Sequence, residues 1–277
     1  MITLLVGLGH KKSHRLNYSP SNTPIIYLSV FIPKKTLNKI DHSLEFVHQC
    51  ELGGNNMSPS IPDLAQDIIR IHKVITRALN VGMNKAIEHL QSGVTSPQAL
   101  LGYRSYIHSL ATVLGSHHQS EDLIIFPAFQ KVLPLTPYSQ LIAEHHQIET
   151  LLAPIPEQIS VLSGDAPEGG LREIDTILQE IFNIWVPHIR IEEGNFTHAA
   201  LNAVMNLEEQ ETVSQAIGKY SQEHSDPPYW IMPFVLFNLE LDDRMSMAAN
   251  FPPMIMDELI PKVWKEQWAP MKPYLLE

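Results

Sequence analysis

Cysteine is almost absent from this chain of 277 residues, because it occurs only once, at Cys50. Residues 57–277 therefore have no thiol of their own, which excludes an internal disulfide, an iron–sulfur cluster and a zinc–thiolate site in that part of the chain. Any metal ion bound there must be held by nitrogen and oxygen ligands.

Positive charge is also scarce. The chain has 19 lysines and arginines against 30 aspartates and glutamates, and its formal net charge is −11. A nucleic-acid-binding domain needs a basic surface, so this composition argues against that class. The best apolar run, residues 25–32, is far shorter than the roughly 18–20 residues that span a membrane. We therefore expect neither nucleic acid nor a membrane as a partner, and a cytoplasmic location.

Residues 1–56 differ in composition from the rest of the chain. They carry six basic and three acidic side chains, leaving 13 basic and 27 acidic side chains for the remainder. Three interpretations are open: a leader that targets an organelle, a disordered arm with a short strand near residues 25–32, or read-through from a wrongly assigned start before Met57.

The most informative segment is residues 116–129, SHHQSEDLIIFPAF. In an α-helix, side chains four positions apart lie about 40° apart around the axis and roughly 6 Å apart along it. His117 and Glu121 would then face the same way, and their imidazole and carboxylate could bind one metal ion. His118 and Asp122 have the same spacing, so the residues alone leave the choice between the two pairs open.

The same spacing recurs in residues 185–196, WVPHIRIEEGNF, as His188 and Glu192. Two further apolar segments place one histidine each at mid-helix, His72 and His145. A lone histidine on an apolar face is more often a hydrogen-bonded core residue than a metal ligand. Buried glutamates are costly, however, and four inward histidines with two inward glutamates are hard to satisfy in one core without a cation. The whole set therefore favours a metal site.

Apolar periodicity predicts four long helices, at about 62–90, from 96 to 132, from 138 with a short continuation to 162, and from 171 past 205. Ser60 and Ser96 are the predicted caps of the first two, and Pro187 lies inside the fourth. Further helices are predicted at 205–220, 229–239 and 253–264. These features predict an all-α fold: an antiparallel four-helix bundle over residues 57–207, with a helical C-terminal extension over residues 208–277 packed on it.

These helices and motifs resemble the hemerythrin-like HHE cation-binding family over residues 62–207. The resemblance rests on the HHxxED…FP segment and the later HxxxEE. In the family pattern the ligand histidine stands four residues before the first acid and nine before the phenylalanine, which selects His117 and Glu121. His118, Asp122, His146 and Glu193 are then expected outside the ligand set, supporting the ligands or facing solvent. The predicted metal ligands are His72, His117, Glu121, His145, His188 and Glu192.

Six nitrogen and oxygen ligands exceed the needs of one tetrahedral zinc ion and suit two metal ions bridged by the two carboxylates, with one position left open. The resemblance implies a pair of non-haem irons, with manganese and zinc as alternatives. The oxygen-carrying hemerythrins have a second histidine one turn further along the third helix, where this chain has Glu149. A ligating carboxylate there would favour ferric iron over reversible oxygen carriage, but we expect Glu149 to be a solvated charge.

The resemblance implies a protein that binds or senses iron, oxygen, peroxide or nitric oxide at its metal, and no catalytic residue is predicted. One alternative is an enzyme, such as a di-iron peroxidase or an iron-donating repair protein. Another is a metal-free helical interaction protein. Ferritin-like oxidases are disfavoured, because their motif places the histidine after the glutamate, whereas here the histidine comes first.

Overall fold

The computed structural model describes residues 63–276, and within that range the chain forms helices and no strand. The predicted all-α fold is therefore confirmed, whereas the interpretations of residues 1–56 lie outside the described residues. The α-helices of the described range are α1 (Leu64–Ser92), α2 (Leu101–Ser120), α3 (Phe126–Phe129), α4 (Tyr138–Leu152), α5 (Ile155–Val161), α6 (Glu168–Asn195), α7 (His198–Val204), α8 (Leu207–His224), α9 (Pro228–Phe237), α10 (Leu241–Ala248) and α11 (Lys265–Trp268). Two π-helical segments, Glu121–Ile125 and Ile255–Val263, and a 3-10 segment, Ala269–Tyr274, accompany them.

Helix α1 has a clear start and stop signal in the sequence. The Asp63 side chain accepts a hydrogen bond from the Gln66 backbone N–H at 3.1 Å, which caps the first turn. The helix ends at Gly93, whose backbone is left-handed (φ 66°), a conformation that costs glycine little. The predicted cap, Ser60, lies outside the described residues.

Helices α1 and α6 pack against each other in opposite directions. His72 lies beside Glu192, and four residues further along α1 the Thr76 hydroxyl accepts a hydrogen bond from Trp185 Nε1–H. The residue numbers of the contacting residues therefore decrease along α6 as they increase along α1, so the two helices are antiparallel. Helix α2 is likewise antiparallel to α1, because the His117 ring contacts His72 whereas α2's early residue Tyr103 hydrogen-bonds to Gly82 of α1.

The buried apolar residues form two separate clusters with a polar layer between them. One cluster is built around Ile75, Leu114, Ile148 and Trp185, and the other around Ile68, Ile125, Leu141 and Phe196. Each long helix passes from one cluster to the other and has a predicted ligand where it does so. The order is Ile68, His72, Ile75 on α1; Leu114, His117, Ile125 on α2 and the π-helical segment; Leu141, His145, Ile148 on α4; and Trp185 and His188 on α6, with Phe196 directly after its end.

The second predicted helix is shorter than expected, because its helical residues begin at Leu101 and end at Phe129. Between α2 and α3 lies the π-helical segment Glu121–Ile125, in which the Phe126 N–H donates to the Glu121 carbonyl five residues back. Pro127 follows directly, and proline lacks the N–H that a regular helix would use at that position. Short π-helical turns inside α-helices are frequent at functional sites, and this one begins at a predicted ligand.

The prediction that the fourth long helix continues past residue 205 is wrong. Helix α6 ends at Asn195, and the buried ring of Phe196 follows. Thr197 then caps α7, because its side chain accepts a hydrogen bond from the Ala200 N–H at 3.1 Å. Pro187 lies inside α6 as predicted, and the predicted fifth helix is confirmed as α8.

The C-terminal extension packs on the bundle as predicted, because its apolar residues belong to the same cluster as those of α1, α2 and α6. Tyr106 of α2 donates to Asn238 Oδ1 at 2.8 Å, and Arg77 of α1 donates to the Tyr274 carbonyl at 2.9 Å. A Cβ atom on Gly102 would lie 1.9 Å from the Pro270 carbonyl oxygen, so the extension sits directly on the α2 backbone. Among residues 63–276, no helix has the length and apolar character to cross a bilayer.

Candidate metal centre

The polar layer between the two apolar clusters brings all six predicted ligands together. Each of them is buried, with His117 the most exposed at 8%. They come from four directions, since α1, α2 with its π-helical continuation, α4 and α6 each contribute at least one. The six are His72, His117, Glu121, His145, His188 and Glu192.

The ligand atoms fall into two overlapping groups. In one, atoms of His72, His117, Glu121 and Glu192 all lie within 4.8 Å of one another. The other consists, under the same limit, of His118, Glu121, His145 and His188. Glu121 belongs to both groups.

Glu192 also reaches both sides of the layer. One of its oxygens, Oε2, lies 3.3 Å from His72 Nε2, and the other, Oε1, lies 3.2 Å from His188 Nε2. The two glutamates thus stand between two sets of imidazoles. Carboxylates in that position are suited to bridging a pair of cations.

His118 was expected to support the ligands or to face solvent, and the structure places it inside the buried layer. Its ring is 0% exposed and stacks on His145 with 4.0 Å between centroids. Neither of its ring nitrogens has a hydrogen-bond partner. One sequence signal was available, since His118 precedes Glu121 by three residues, and that spacing also places two side chains on one helix face.

The other expected outsiders divide into two kinds. Asp122 and Glu193 contact the outward ring nitrogens of His145 and His72, at 2.8 and 3.0 Å. His146 is a surface residue with a 68% exposed side chain, 3.5 Å from Glu149. Glu149 is in neither ligand group and is partly solvated, as predicted.

Sequence reasoning missed Glu144. Its Oε2 atom lies 2.8 Å from Nδ1 of His188, on the side of the ring that faces away from the layer. Its position directly before His145 is the only signal that the sequence offered.

Many polar atoms of the layer lack hydrogen bonds although they are buried. Within the described residues, these include eight ring nitrogen or carboxylate oxygen atoms of five side chains: His72, His117, His118, Glu121 and Glu192. A buried polar atom without a partner is costly, and a buried carboxylate especially so. Iron, manganese and zinc bind imidazole nitrogens and carboxylate oxygens as ligands. Cations in this layer would therefore satisfy the atoms that the fold leaves without hydrogen bonds.

Burial and neighbouring charges shift the pKa values of the buried side chains in different directions. Burial, and then the negative charges of Glu192 and Asp122, raise the pKa of Glu121 well above its ordinary value. Burial, and then the other histidines, lower the pKa values of His117 and His118 well below the ordinary one. Without a cation these three side chains are therefore held in their neutral forms.

The pKa of Glu192 is shifted in the opposite direction to that of Glu121. Burial alone would raise its pKa, but contacts with His188 and His72 lower it overall. Burial likewise opposes charge on His72 and His188, yet their carboxylate neighbours raise both pKa values. Glu192 is thus the ionised centre of the layer, between two histidines that favour the protonated form.

Large apolar rings close the layer above and below. Trp185 stands edge-on to His72 with 5.5 Å between centroids, and Phe126 stacks on His145 at 5.4 Å. On the surface, a groove of about 390 Å³ between α1 and α6 is lined by His72, Thr76 and Glu193, among others. This groove reaches an edge of His72, a candidate ligand.

Comparison with protein families matches residues 63–200 to the hemerythrin HHE cation-binding domain. The match spans α1 to α6 and includes every residue of the buried layer. No curated protein and no solved structure shows a significant match to the chain.

Proposed function

Because residues 63–200 belong to the hemerythrin HHE cation-binding domain family, we propose that the protein binds two non-haem iron ions in the buried layer and uses them to bind or sense a small ligand. The ligand would be oxygen, peroxide or nitric oxide. The observation that carries the proposal is the set of eight unpaired donor atoms on five buried side chains of one layer. A metal-free interaction protein has no use for these atoms, whereas a pair of cations satisfies them.

Each iron has its own candidate ligands. One would be held by His72 and His117 together with Glu121 and Glu192. The other would be held by His118, His145 and His188, with the same two glutamates as bridges; seven side chains exceed the needs of a single tetrahedral zinc ion.

The two positions differ in the number of imidazoles they offer. The position at His72 and His117 has two, whereas the other has three, so an open coordination position is expected at the first. When bound, the metal pair supplies redox chemistry and a place for a small ligand. The groove beside His72 supports access for that ligand on the same side.

The chain's own residues control what reaches the layer. Trp185 and Phe126 exclude bulk water from its two apolar faces, and this strengthens electrostatic interactions inside it. Trp185 is itself fixed by the 2.8 Å hydrogen bond from its Nε1–H to Thr76, a residue that lines the groove. Thr76 and Trp185 therefore connect the groove wall to the layer.

Ligand addition to the ferrous protein tests this function. Metal-free protein is loaded with ferrous iron under anaerobic conditions and then exposed separately to oxygen, nitric oxide and peroxide. We expect a change in the optical spectrum with at least one of them and no sustained consumption. Continued turnover of peroxide would favour the enzyme alternative, and an iron-loaded protein that responds to none of the three would contradict the proposal.

A further inference from the structure

Three of the buried histidines have a carboxylate on the ring nitrogen that faces away from the layer. Asp122 lies 2.8 Å from Nδ1 of His145. The corresponding contacts are Glu144 to His188 at 2.8 Å and Glu193 to His72 at 3.0 Å. We refer to Asp122, Glu144 and Glu193 as the outer carboxylates.

Each outer carboxylate contacts a histidine of a different helix. Asp122, in the π-helical segment after α2, reaches α4; Glu144 on α4 reaches α6; and Glu193 on α6 reaches α1. Together they connect all four helices that contribute to the layer. Each contact leads to the next helix around the layer, from the segment after α2 to α4, from α4 to α6 and from α6 to α1.

The sequence encodes this arrangement in three doublets. Each outer carboxylate is adjacent to a buried candidate ligand, in the pairs Glu121–Asp122, Glu144–His145 and Glu192–Glu193. Neighbouring residues on a helix point about 100° apart, so one member of a doublet faces the layer and the other reaches sideways.

The contacts favour one tautomer of each neutral ring. A carboxylate accepts hydrogen bonds only, and the outer carboxylates lie closer to Nδ1, at 2.8–3.0 Å, than Glu192 lies to Nε2 of His72 and His188, at 3.3 and 3.2 Å. In the neutral ring the proton is therefore expected on Nδ1, and the lone pair of Nε2 then points into the layer. Nε2 of His145 and Nε2 of His188 lie only 3.0 Å apart. Two lone pairs at that distance repel each other unless a proton or a cation lies between them.

We propose, on the basis of the di-iron function above, that Asp122, Glu144 and Glu193 are positioning residues that aim three imidazoles at the metals and bias the metal pair toward the ferric state. A carboxylate on Nδ1–H makes the imidazole a stronger electron donor at Nε2. Three added negative charges around the layer stabilise the more highly charged cation more than the ferrous one. The side chains are 20%, 18% and 37% exposed, so each outer carboxylate lies at the edge of the layer in partial contact with solvent.

Amide substitutions separate charge from position. Asp122→Asn, Glu144→Gln and Glu193→Gln keep the size and one acceptor oxygen but remove the charge. Glu149→Gln is the matched control, because Glu149 is a partly exposed acid of the same helix as Glu144 and its contact with a histidine, among residues 63–276, is with the exposed His146. The readouts are the ferric–ferrous midpoint potential and the affinity for iron.

We expect each outer-carboxylate variant to raise the midpoint potential and to lower iron affinity by about 10- to 100-fold, with the control unchanged. Potentials and affinities equal to those of the unmodified protein in all three amide variants would overturn the charge role. A rise of the same size in Glu149→Gln would also overturn it, since that result would report net charge and not these contacts.

Nitrogen-15 NMR of the metal-free protein tests the positioning role independently of iron. At a pH where the rings are neutral, we expect His72, His145 and His188 to carry their proton on Nδ1. Protons on Nε2 would overturn the proposal even if the protein binds two irons. Nδ1 protons in a protein that takes up no iron would instead support the positioning role while the di-iron function fails; cobalt(II) affinity of the same amide variants would then decide the charge role.

Discussion

His117 and His118 are adjacent in the sequence, yet both rings lie in the same buried layer. Adjacent positions on a helix differ by about 100°, so one small site would accept only one of them. The layer accepts both because it is broad: His117 belongs to the group around His72, and His118 to the group around His145. The two proposed metal positions would therefore explain a histidine pair that one position would not.

We expect His117→Ala and His118→Ala each to lower metal affinity by at least about tenfold, because each removes an imidazole from one position. His146→Ala is the control, since its side chain is 68% exposed. Metal per chain, measured by mass spectrometry after dialysis, checks the prediction. Full metal content in His118→Ala would restrict the ligands to the six residues predicted from the sequence.

A second substitution at position 118 distinguishes the loss of a metal ligand from the loss of folding. His118→Phe keeps an aromatic ring to stack on His145 but removes two unpaired buried nitrogens. We expect it to stabilise the metal-free protein by roughly 1–3 kcal/mol and still to lower metal content. Lower stability together with full metal content would identify His118 as a purely structural core residue.

The two groups of the layer together contain seven histidines and glutamates. The sequence could predict that six of them lie close together, because their helical spacing and the family pattern both mark them. It could not predict His118, whose direction depends on rings from other helices, His145 and Trp185. Glu144 was missed for a similar reason: its partner, His188, lies 44 positions away on another helix.

At the scale of elements, helix ends were predictable where local chemistry decides them, whereas the predicted cap at Ser96 is wrong because α2 begins at Leu101. Gly93 ends α1, and the break after α4 coincides with Pro154. The end of α6 was not predictable from apolar periodicity, because Leu201 and Met205 continue the apolar pattern while the Thr197 cap starts a new helix. Local capping outweighed periodicity there.

The contact between α2 and the C-terminal segment Ala269–Tyr274 gives a prediction at this scale. Gly102→Ala should destabilise the protein by about 1–3 kcal/mol, because its Cβ would lie 1.9 Å from a backbone oxygen of Pro270. Gly115→Ala, in the same helix with nothing within 4 Å of its Cβ, should be neutral or stabilising by up to about 1 kcal/mol. Urea unfolding compares them, and equal stabilities would contradict the close packing.

At the scale of the whole molecule, the layer is both the candidate site and the boundary between two apolar clusters. Four helices leave unpaired polar atoms at that boundary, so the metal-free fold carries a cost that a bound metal removes. We therefore expect metal binding and folding stability to be coupled.

The coupling should depend on pH. Metal binding needs neutral imidazoles and an ionised Glu121, whereas the metal-free fold raises the pKa values of Glu121, His72 and His188. Raised pKa values stabilise the metal-free protein at low pH, and that stability is lost as pH rises through them. The pKa values of His72 and His188 are raised above the ordinary histidine value of 6.5, so protons should begin to compete with the metal above pH 6.5. This competition should increase as the pH falls further.

The expected result is a large gap in melting temperature between metal-loaded and metal-free protein near neutral pH that shrinks on acidification. His117 and His118 oppose this trend, because their lowered pKa values destabilise the metal-free fold below pH 6.5. Paired melting series from about pH 8 to about pH 4.5 check the prediction. Coincident melting temperatures at neutral pH would show that metal and fold are not coupled.

A chain that begins at Met57 should fold, bind metal and melt like the full chain. The α1 cap, Asp63, and every residue of the buried layer come after that position. Purification, metal analysis and melting of the shortened protein check the expectation. A large loss of solubility or metal would assign residues 1–56 a part in the fold.

Metal content is the most direct test of the central claim, that the layer binds a pair of irons. Protein purified from iron-replete cells should contain about two irons per chain and show ferric charge-transfer absorption in the near ultraviolet. Glu121→Gln should lower both, because Glu121 belongs to both ligand groups. One tightly bound zinc ion with no iron uptake, or a protein that takes up no metal at all, would contradict the claim.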